Sequence, residues 1–296
     1  MKILLATDGS AYSDGAARFM ARFDFSQTDE IVVLHVIPGM PFPHSGGPYN
    51  AALIHIGEEL APRIIDATAG LMKGLRANVS TVVTTGHPAE AIIDVAAQSG
   101  SDMIVMGNRG MKAIGSLLLG SVTRAVAISF PKSVLVVKPP QGKPDGPLKV
   151  LFATDGSDCA RETERVLSLI PFHPDTSVTT VYVSLSAYMD IPDRFCAGLD
   201  ERLKKIMAGM KEAETKHAKK VLELARTRLK DKFRNVTALI KNGDPSEQIL
   251  QAARETRVDV IALGSRGMRG VSGMLGSVAR NVLSHADCSV LICKLK

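Results

Sequence analysis

The stretch MGNRGMKAIGSLLLGSVTRAV, residues 106–126, has glycines at positions 107, 110 and 120 and then continues in a pattern with helical spacing. The run DMIVM, which leads into it, is short and apolar, as is typical of a strand buried on both faces of a sheet. A glycine directly after a strand lets the backbone take positive φ and come close to a ligand. The stretch therefore predicts a strand, a glycine loop and a helix, as at the ligand-binding edge of an open α/β sheet.

The chain carries this pattern twice. GSRGMRGVSGMLGSVARNV, which starts at residue 264, repeats the glycines and the serine of the first stretch. KILLATDGS at residues 2–10 is likewise repeated as KVLFATDGS at residues 149–157, and the second copy has about ten additional residues between its second and third strands. The stretch KPPQGKPDGPLK between the copies has the composition of a linker. We therefore predict two tandem domains, at 1–138 and 148–296, and a linker at 139–147.

Short apolar runs alternate with runs of helical spacing in each copy, and the strand-like runs of the first copy are ILLAT, EIVVLHVI, NVSTVVT, DMIVMG and SVLVVK. Such alternation implies a parallel sheet with right-handed crossovers. We predict an α/β fold of two tandem doubly wound domains, Rossmann-like, each with a five-stranded parallel sheet and helices on both faces. The last strands, SVLVVK and SVLICK, would each leave an unpaired edge, so we expect the halves to pack as a pseudo-symmetric pair.

The glycine loop is expected at the carboxyl edge of the sheet, where doubly wound folds bind their ligands. Free N–H groups of such a loop and of a helix N-terminus bind anionic oxygens, and Ser121 can cap the helix or donate its hydroxyl to a phosphate. The pattern is not a Walker A loop, because no Gly-Lys-Ser/Thr follows, and no GxGxxG follows the first strand. The residues favour a nucleotide site, with ordinary turns as the alternative.

An aspartate follows the first strand of each copy, Asp8 and Asp155. At the carboxyl end of a strand, its carboxylate can accept hydrogen bonds from an adenine amine or from ribose hydroxyls. Capping of the next helix by Asp8 or Ser10 explains the same residues. The chemistry alone leaves both interpretations open.

The G-x2-G-x9-G-S pattern of the first half, its near-repeat in the second half and the ATDGS strand ends resemble the universal stress proteins, in particular their tandem-domain, ATP-binding members. The resemblance covers almost the whole chain, twice. It implies a nucleotide-dependent regulator of the stress response that binds ATP, or ADP or AMP, with Mg²⁺ held through the phosphates. The implied nucleoside contacts are Ala6, Asp8, Val36, Met106 and Gly107 in the first half, and Ala153, Asp155, Val183, Leu263 and Gly264 in the second. The implied phosphate contacts are Gly110, Gly120, Ser121 and Val122, and Gly267, Gly276, Ser277 and Val278.

The chain departs from the family pattern in two places. Ala6 and Ala153 stand where proline is frequent, which should change packing more than binding. The second glycine loop has eight residues between Gly267 and Gly276, one fewer than the first loop. Such a deletion moves the helix N-terminus relative to the strand, so we expect the second site to bind more weakly or not at all.

Catalysed phosphoryl transfer needs a metal clamp, a base or water-positioning group, and cations. No Ser/His/Asp grouping or metal-ligand spacing stands out in the sequence, and we assign no catalytic or metal-binding residue. Arg109 and Arg266 lie in the glycine loops, where we favour solvated positions over phosphate contacts, and His35 is expected to be a core histidine. We expect nucleotide binding without fast catalysis. The alternatives are a slow ATP hydrolase and a dimerising scaffold with vestigial sites.

Composition limits the remaining classes. The 296 residues are 45% hydrophobic and 22% charged, and no apolar run approaches the roughly 20 residues that cross a bilayer. The N-terminus is a poor signal peptide and four cysteines lack CxxC spacing, so we expect a cytoplasmic protein without membrane contact. The formal charge of +6 is interleaved with acidic residues and there is no tryptophan, so nucleic acid is not an expected partner. The expected partners are an adenine nucleotide, a second copy of the chain and an unidentified protein.

Two further segments carry expectations. Residues 198–233 predict a long helix with a solvated lysine-rich face and i,i+4 pairs such as Glu212 with Lys216. GMPFPHSGGPYN at residues 39–50 is rich in proline and glycine. It either covers the ligand as a lid or simply joins two elements.

Overall fold

The computed structural model describes residues 1–39, 48–111, 119–139, 146–184, 200–267 and 275–295, with only the backbone of residues 48–53. Its strands are β1 (Lys2–Thr7), β2 (Glu30–Pro38), β3 (Asn78–Gly86), β4 (Met103–Gly107), β5 (Ser133–Val137), β6 (Lys149–Ala153), β7 (Ser177–Ser184), β8 (Asn235–Asn242), β9 (Val260–Gly264) and β10 (Ser289–Cys293). Its helices are α1 (Ala11–Met20), α2 (Pro48–Gly70), α3 (Pro88–Gln98), α4 (Ser121–Ser129), α5 (Asp158–Leu169), α6 (Glu201–Leu229), α7 (Pro245–Thr256) and α8 (Ser277–His285).

The strands form one continuous sheet in the order β3-β2-β1-β4-β5-β10-β9-β6-β7-β8. Neighbouring strands within each half are parallel, which confirms the predicted five-stranded doubly wound arrangement. The two halves meet at β5 and β10, which pair antiparallel with Leu135 opposite Leu291. The two apolar strands thus cover each other's edges, as their composition predicts.

Helices cover both faces of the sheet. Alternate side chains of β1 enter two different cores. Ile3 and Leu5 belong to a core with residues of α1, α5 and α6, whereas Leu4 belongs to a core with residues of α3, α4, α7 and α8. Each core runs through both halves. In the first core, Phe23 and Phe172 meet edge to face with their ring centroids 5.1 Å apart. The two halves therefore share their hydrophobic interior.

The strand order reverses between β1 and β4 in the first half and between β6 and β9 in the second. The carboxyl ends of these strands open a crevice in each half, which is where doubly wound sheets bind ligands. Asp8 directly follows β1 and Gly107 ends β4 in the first crevice. Asp155 and Gly264 hold the equivalent places in the second crevice.

Two predicted segments differ from the structure. Helix α2 begins at Pro48, inside the proline- and glycine-rich connection, and residues 40–47 of that connection lie outside the described residues. Helix α6 is the predicted long helix, but its ion pairs have i,i+3 spacing, as in Glu201 with Lys204. In the described chain, no ion pair joins Glu212 to Lys216.

Candidate functional site

Asp8 joins the first strand to the glycine loop. Its Oδ1 accepts a hydrogen bond from the backbone N–H of Ser10 at 3.1 Å, and its Oδ2 accepts one from the N–H of Met111 at 2.8 Å. Helix α1 is capped by Ser10, whose Oγ accepts from the N–H of Ser13, so the capping interpretation applies to Ser10 and not to Asp8. The half-buried Asp8 carboxylate keeps acceptor capacity at the first crevice, because each oxygen can accept more than one hydrogen bond.

The loop glycines leave no room for a side chain beside this carboxylate in its present position. A Cβ atom at Gly110 would lie 2.4 Å from Asp8 Oδ2, and a Cβ atom at Gly267 would lie 2.7 Å from Asp155 Oδ2. Both distances are shorter than real Cβ contacts, so any side chain would displace the carboxylate. The Oδ1 of Asp155 also accepts from the N–H of Ser157 at 2.9 Å, as in the first half. The contact between aspartate and glycine loop is thus built twice.

Gly107 makes room for a helix, whereas its place after a strand suggested a need for positive φ. A Cβ atom there would lie 2.7 Å from the carbonyl carbon of Tyr12 in α1, and one at Gly264 would lie 2.7 Å from Cys159 Cβ in α5. These glycines let a helix pack closely against β4 or β9, and neither has positive φ. Among the described residues, the glycines of these loops also lack positive φ, whereas Gly9 and its repeat have φ of +78° each. The repeated ATDGS stretch was the signal for these two turns.

The helices that follow the glycine loops begin without a side-chain cap. Gly120 and Gly276 are the N-caps of α4 and α8, and neither helix has a side-chain hydrogen bond at its cap. Ser121 and Ser277 are the first helical residues and are exposed, so capping by Ser121 does not occur. The backbone N–H groups of Ser121 and Val122, and those of their equivalents, are the groups that a helix N-terminus presents to an anion.

The shorter second loop does not displace its helix. The N–H of Gly120 donates to the carbonyl of Asn108 at 2.8 Å, and the N–H of Gly276 donates to the carbonyl of Ser265 at the same 2.8 Å. These bonds fix the start of each helix relative to the strand before it, so the expected displacement in the second half is wrong. The one-residue difference is confined to the loop interiors, most of which lie outside the described residues.

Apolar residues end the strands at the floor of each crevice. Ala6 lies opposite Met106 in the register of β1 and β4. The residues Ala6, Val36 and Met106 are each at most 8% exposed and belong to the core that α3 and α4 cover. Their counterparts Ala153, Val183 and Leu263 pack in the same core. These residues bring the main chain of the strand ends to the crevice while their own side chains stay covered.

Comparison with known proteins now adds to this geometry. A family model described as the universal stress protein family matches residues 1–138 and again residues 148–294. The chain belongs to the universal stress protein family. It is 28% identical over 299 residues to a universal stress protein of Mycolicibacterium smegmatis, which covers 98% of this chain and 96% of that relative. It is 31% identical over 156 residues to universal stress protein YxiE of Bacillus subtilis, which covers 49% of this chain and 97% of that relative.

A solved universal stress protein structure has the same fold. The universal stress protein of Archaeoglobus fulgidus aligns with a TM-score of 0.66 and 23% sequence identity. The alignment covers 99% of this chain and 98% of that one. The fold of the chain is therefore shared with an experimental structure.

In this universal stress protein the loop arginine of the first half is not simply solvated. Arg109 is half-buried, its Nη1 donates to the Tyr12 hydroxyl at 3.4 Å, and its guanidinium carbon lies 5.8 Å from the centre of the Tyr12 ring. The solvated position favoured from the sequence is therefore wrong for Arg109. The second half has Cys159 in the place of Tyr12, so Arg266 has no equivalent ring.

The remaining described candidates, His35 and two cysteines, have structural explanations and show no sign of a chemical role. His35 is 5% exposed with its Nδ1 2.9 Å from the carbonyl oxygen of Thr7, which confirms a core histidine. Burial raises the pKa of Cys288 to about 11 and that of Cys293 to about 12, so both stay as thiols, and Cys196 lies outside the described residues.

Within the described ranges, no three His, Cys, Asp or Glu side chains are grouped to hold a metal ion. The helices of those ranges include none with the length and apolarity to cross a membrane.

Proposed function

We propose that this universal stress protein binds ATP, or ADP or AMP, in the crevice of each half and acts as a nucleotide-dependent regulator of the stress response. The observation that carries the proposal is the close approach of a glycine loop to an aspartate, made at Asp8 with Gly110 and again at Asp155 with Gly267. A carboxylate at one end of the crevice and an uncapped helix N-terminus at the other suit the nucleoside and the phosphates, respectively.

Each part of the nucleotide has groups that suit it. In the first crevice, Asp8 would accept hydrogen bonds from the ribose or the adenine amine above the ends of β1, β2 and β4. The phosphates would lie at Gly110 and at the N–H groups of Ser121 and Val122. Mg²⁺ would be held through the phosphates and neutralise their charge, because the described residues offer no ligand cluster of their own. The second crevice has the same groups at the equivalent residues.

Nucleotide binding of this kind would change the stability of the whole chain. A ligand present at ~1,000 times its Kd stabilises the folded state by roughly 4 kcal/mol per site. Because both hydrophobic cores run through the two halves, the effect of one occupied site would extend to the other half. This supports a regulatory role in which the stability of the chain, or its affinity for a protein partner, depends on the nucleotide concentration. A cytoplasmic location and association into homo-oligomers are parts of the same proposal.

Calorimetric titration of the nucleotide-free chain with Mg-ATP tests the proposal. We expect two sites in the wild-type chain and one in each of Gly110→Val and Gly267→Val, because a valine would displace the aspartate carboxylate. Gly209→Val is the matched control, since a Cβ atom at this helical glycine meets nothing within 4 Å, and it should keep both sites. Thermal melts establish that each variant is folded.

The outcomes separate the alternatives. Absence of binding to the wild-type chain would overturn the proposal and favour the dimerising scaffold. Two sites retained in the Gly110→Val/Gly267→Val double variant would place the nucleotide elsewhere. Titrations with ADP and AMP identify the occupant. ATP turnover above background that is lost in Gly110→Val would establish slow hydrolysis in addition to binding.

A further inference from the structure

Two lysines connect the halves in a crossed arrangement. Lys138 directly follows β5, and its ammonium donates to the carbonyl oxygen of Ala286 in the second half. Lys294 directly follows β10, and its ammonium donates to the carbonyl oxygens of Ile128, at 2.8 Å, and Phe130 in the first half. Phe130 and Ala286 are the C-caps of α4 and α8. Each lysine therefore closes the C-terminus of a helix that belongs to the opposite half.

These two helices are the ones whose uncapped N-termini face the crevices. α4 and α8 have nine residues each, so the two ends of each helix are about 13 Å apart at 1.5 Å per residue. One end of α4 lies at Gly120 in the first crevice, and its other end is held by Lys294. One end of α8 lies at Gly276 in the second crevice, and its other end is held by Lys138.

A cation at a helix C-terminus acts first on the last turn of the helix. It satisfies carbonyl groups that have no partner within the helix, and it offsets their partial negative charge. Fixing one end of so short a helix also fixes the position of its N-terminal N–H groups, and the positive charge of the ammonium adds a weak long-range attraction for an anion at that end. Lys138 and Lys294 are both half-buried, which weakens the screening of their charges by solvent.

We propose that Lys294 is a positioning residue for the first nucleotide site and Lys138 for the second, so that each half holds the phosphate-binding helix of the other. The inference rests on the proposed function, because it concerns the same two crevices. It makes the tandem arrangement part of both sites: a residue near the end of the chain governs binding in the first half.

Single-site backgrounds make the prediction measurable. In a Gly267→Val chain, which keeps the first site alone, Lys294→Met should weaken Mg-ATP binding about threefold to tenfold. Lys294→Arg keeps a cation at the same place and should restore the affinity to within about twofold. In a Gly110→Val chain, Lys138→Met should weaken the second site in the same way, and Lys294→Met should leave that site unchanged.

Lys232→Met is the matched control. The Lys232 ammonium closes the C-terminus of α5 through the carbonyl oxygens of Ser168, at 2.7 Å, and Ile170, all in the second half. It has the same chemistry as Lys294 but does not cross between the halves, so its removal should leave the first site unchanged. Thermal melts of all variants separate loss of affinity from loss of folding.

The pH dependence of binding provides a second readout. Burial lowers the pKa of Lys294 to about 8, so its charge is lost between pH 7 and pH 9. The first site should bind Mg-ATP more weakly at pH 9 than at pH 7 in the Gly267→Val chain and should lose less affinity with Lys294→Arg, whose guanidinium stays charged. The cavity beside Lys294 is also lined by the titratable or charged groups of Met1, Asp102, Lys132, Glu162 and Arg165. These groups are the same in the Gly267→Val chain with Lys294 and in the one with Lys294→Arg, so the comparison isolates Lys294.

The result that overturns the inference is distinct from failure of the proposed function. If neither the wild-type chain nor the Gly267→Val chain binds Mg-ATP, the proposed function fails and the inference fails with it. If that chain binds and Lys294→Met is without effect, the inference alone fails. Equal weakening of both sites by Lys294→Met, or no recovery with Lys294→Arg, would show a general structural role and also overturn it.

Discussion

The backbone of Arg257 takes the left-handed conformation, with φ of 50°, where it ends helix α7. The first half has Gly100 at the same place after α3, with φ of +71°. Because a side chain is strained in this conformation, Arg257→Gly should raise the free energy of unfolding by about 0.5–1 kcal/mol. The reverse change, Gly100→Ala, should lower the free energy of unfolding by about 1 kcal/mol. A Cβ atom there meets nothing within 4 Å, so the whole loss comes from the positive φ. Urea unfolding midpoints measure both. A loss of stability in Arg257→Gly would contradict this account.

At the scale of elements, a half-buried lysine, Lys232, closes the end of α5. Burial lowers the pKa of Lys232 from 10.5 to about 8. The unfolded chain therefore binds more protons between pH 8 and pH 10.5, and the contribution of Lys232 to the free energy of unfolding rises with pH over this window. Lys232→Met should thus destabilise the chain more at pH 10 than at pH 7, by about 1 kcal/mol after allowance for the partial exposure of the side chain. Urea unfolding at both pH values measures the difference, with Lys219→Met on the exposed side of α6 as the control. An equal loss at both pH values would contradict the prediction.

At the scale of the whole molecule, the shared cores and the pairing of β5 with β10 predict that the two halves unfold together. The bounds 1–138 and 148–296, with a linker at 139–147, remain a proposal about repeats and do not imply independent folding. We expect one calorimetric transition for the full chain, with calorimetric and van't Hoff enthalpies in agreement. Phe172→Ala should lower the free energy of unfolding by about 3–5 kcal/mol without splitting that transition, because Phe172 is 3% exposed and contacts Phe23 of the first half. Leu169→Ala, at a residue that is 54% exposed, is the control. Two resolved transitions in the wild-type chain would show that the halves fold separately.

Much of this architecture follows from local sequence patterns. The central strands are largely apolar, and the predicted helix after the first glycine loop begins at Ser121, where glycine and serine mark its start. The candidate site residues on the strand ends and in the glycine loops follow from the resemblance to the universal stress proteins, and they remain a proposal. The start of α2 could not be predicted, because the stretch before it is rich in proline and glycine and has no apolar periodicity.

The sequence by itself determined the α/β class, the duplication, the pairing of the last strands and the family, because these depend on composition, periodicity and repeats that neighbouring residues carry. Only the tertiary structure decided that Asp8 holds the glycine loop through Met111, that Gly107 makes room for α1, and that the shorter second loop still starts its helix at the same hydrogen bond. It also decided that Lys138 and Lys294 cross between the halves. These contacts join residues far apart in the chain, and their distances are set by how helices pack on the sheet, which no local pattern encodes.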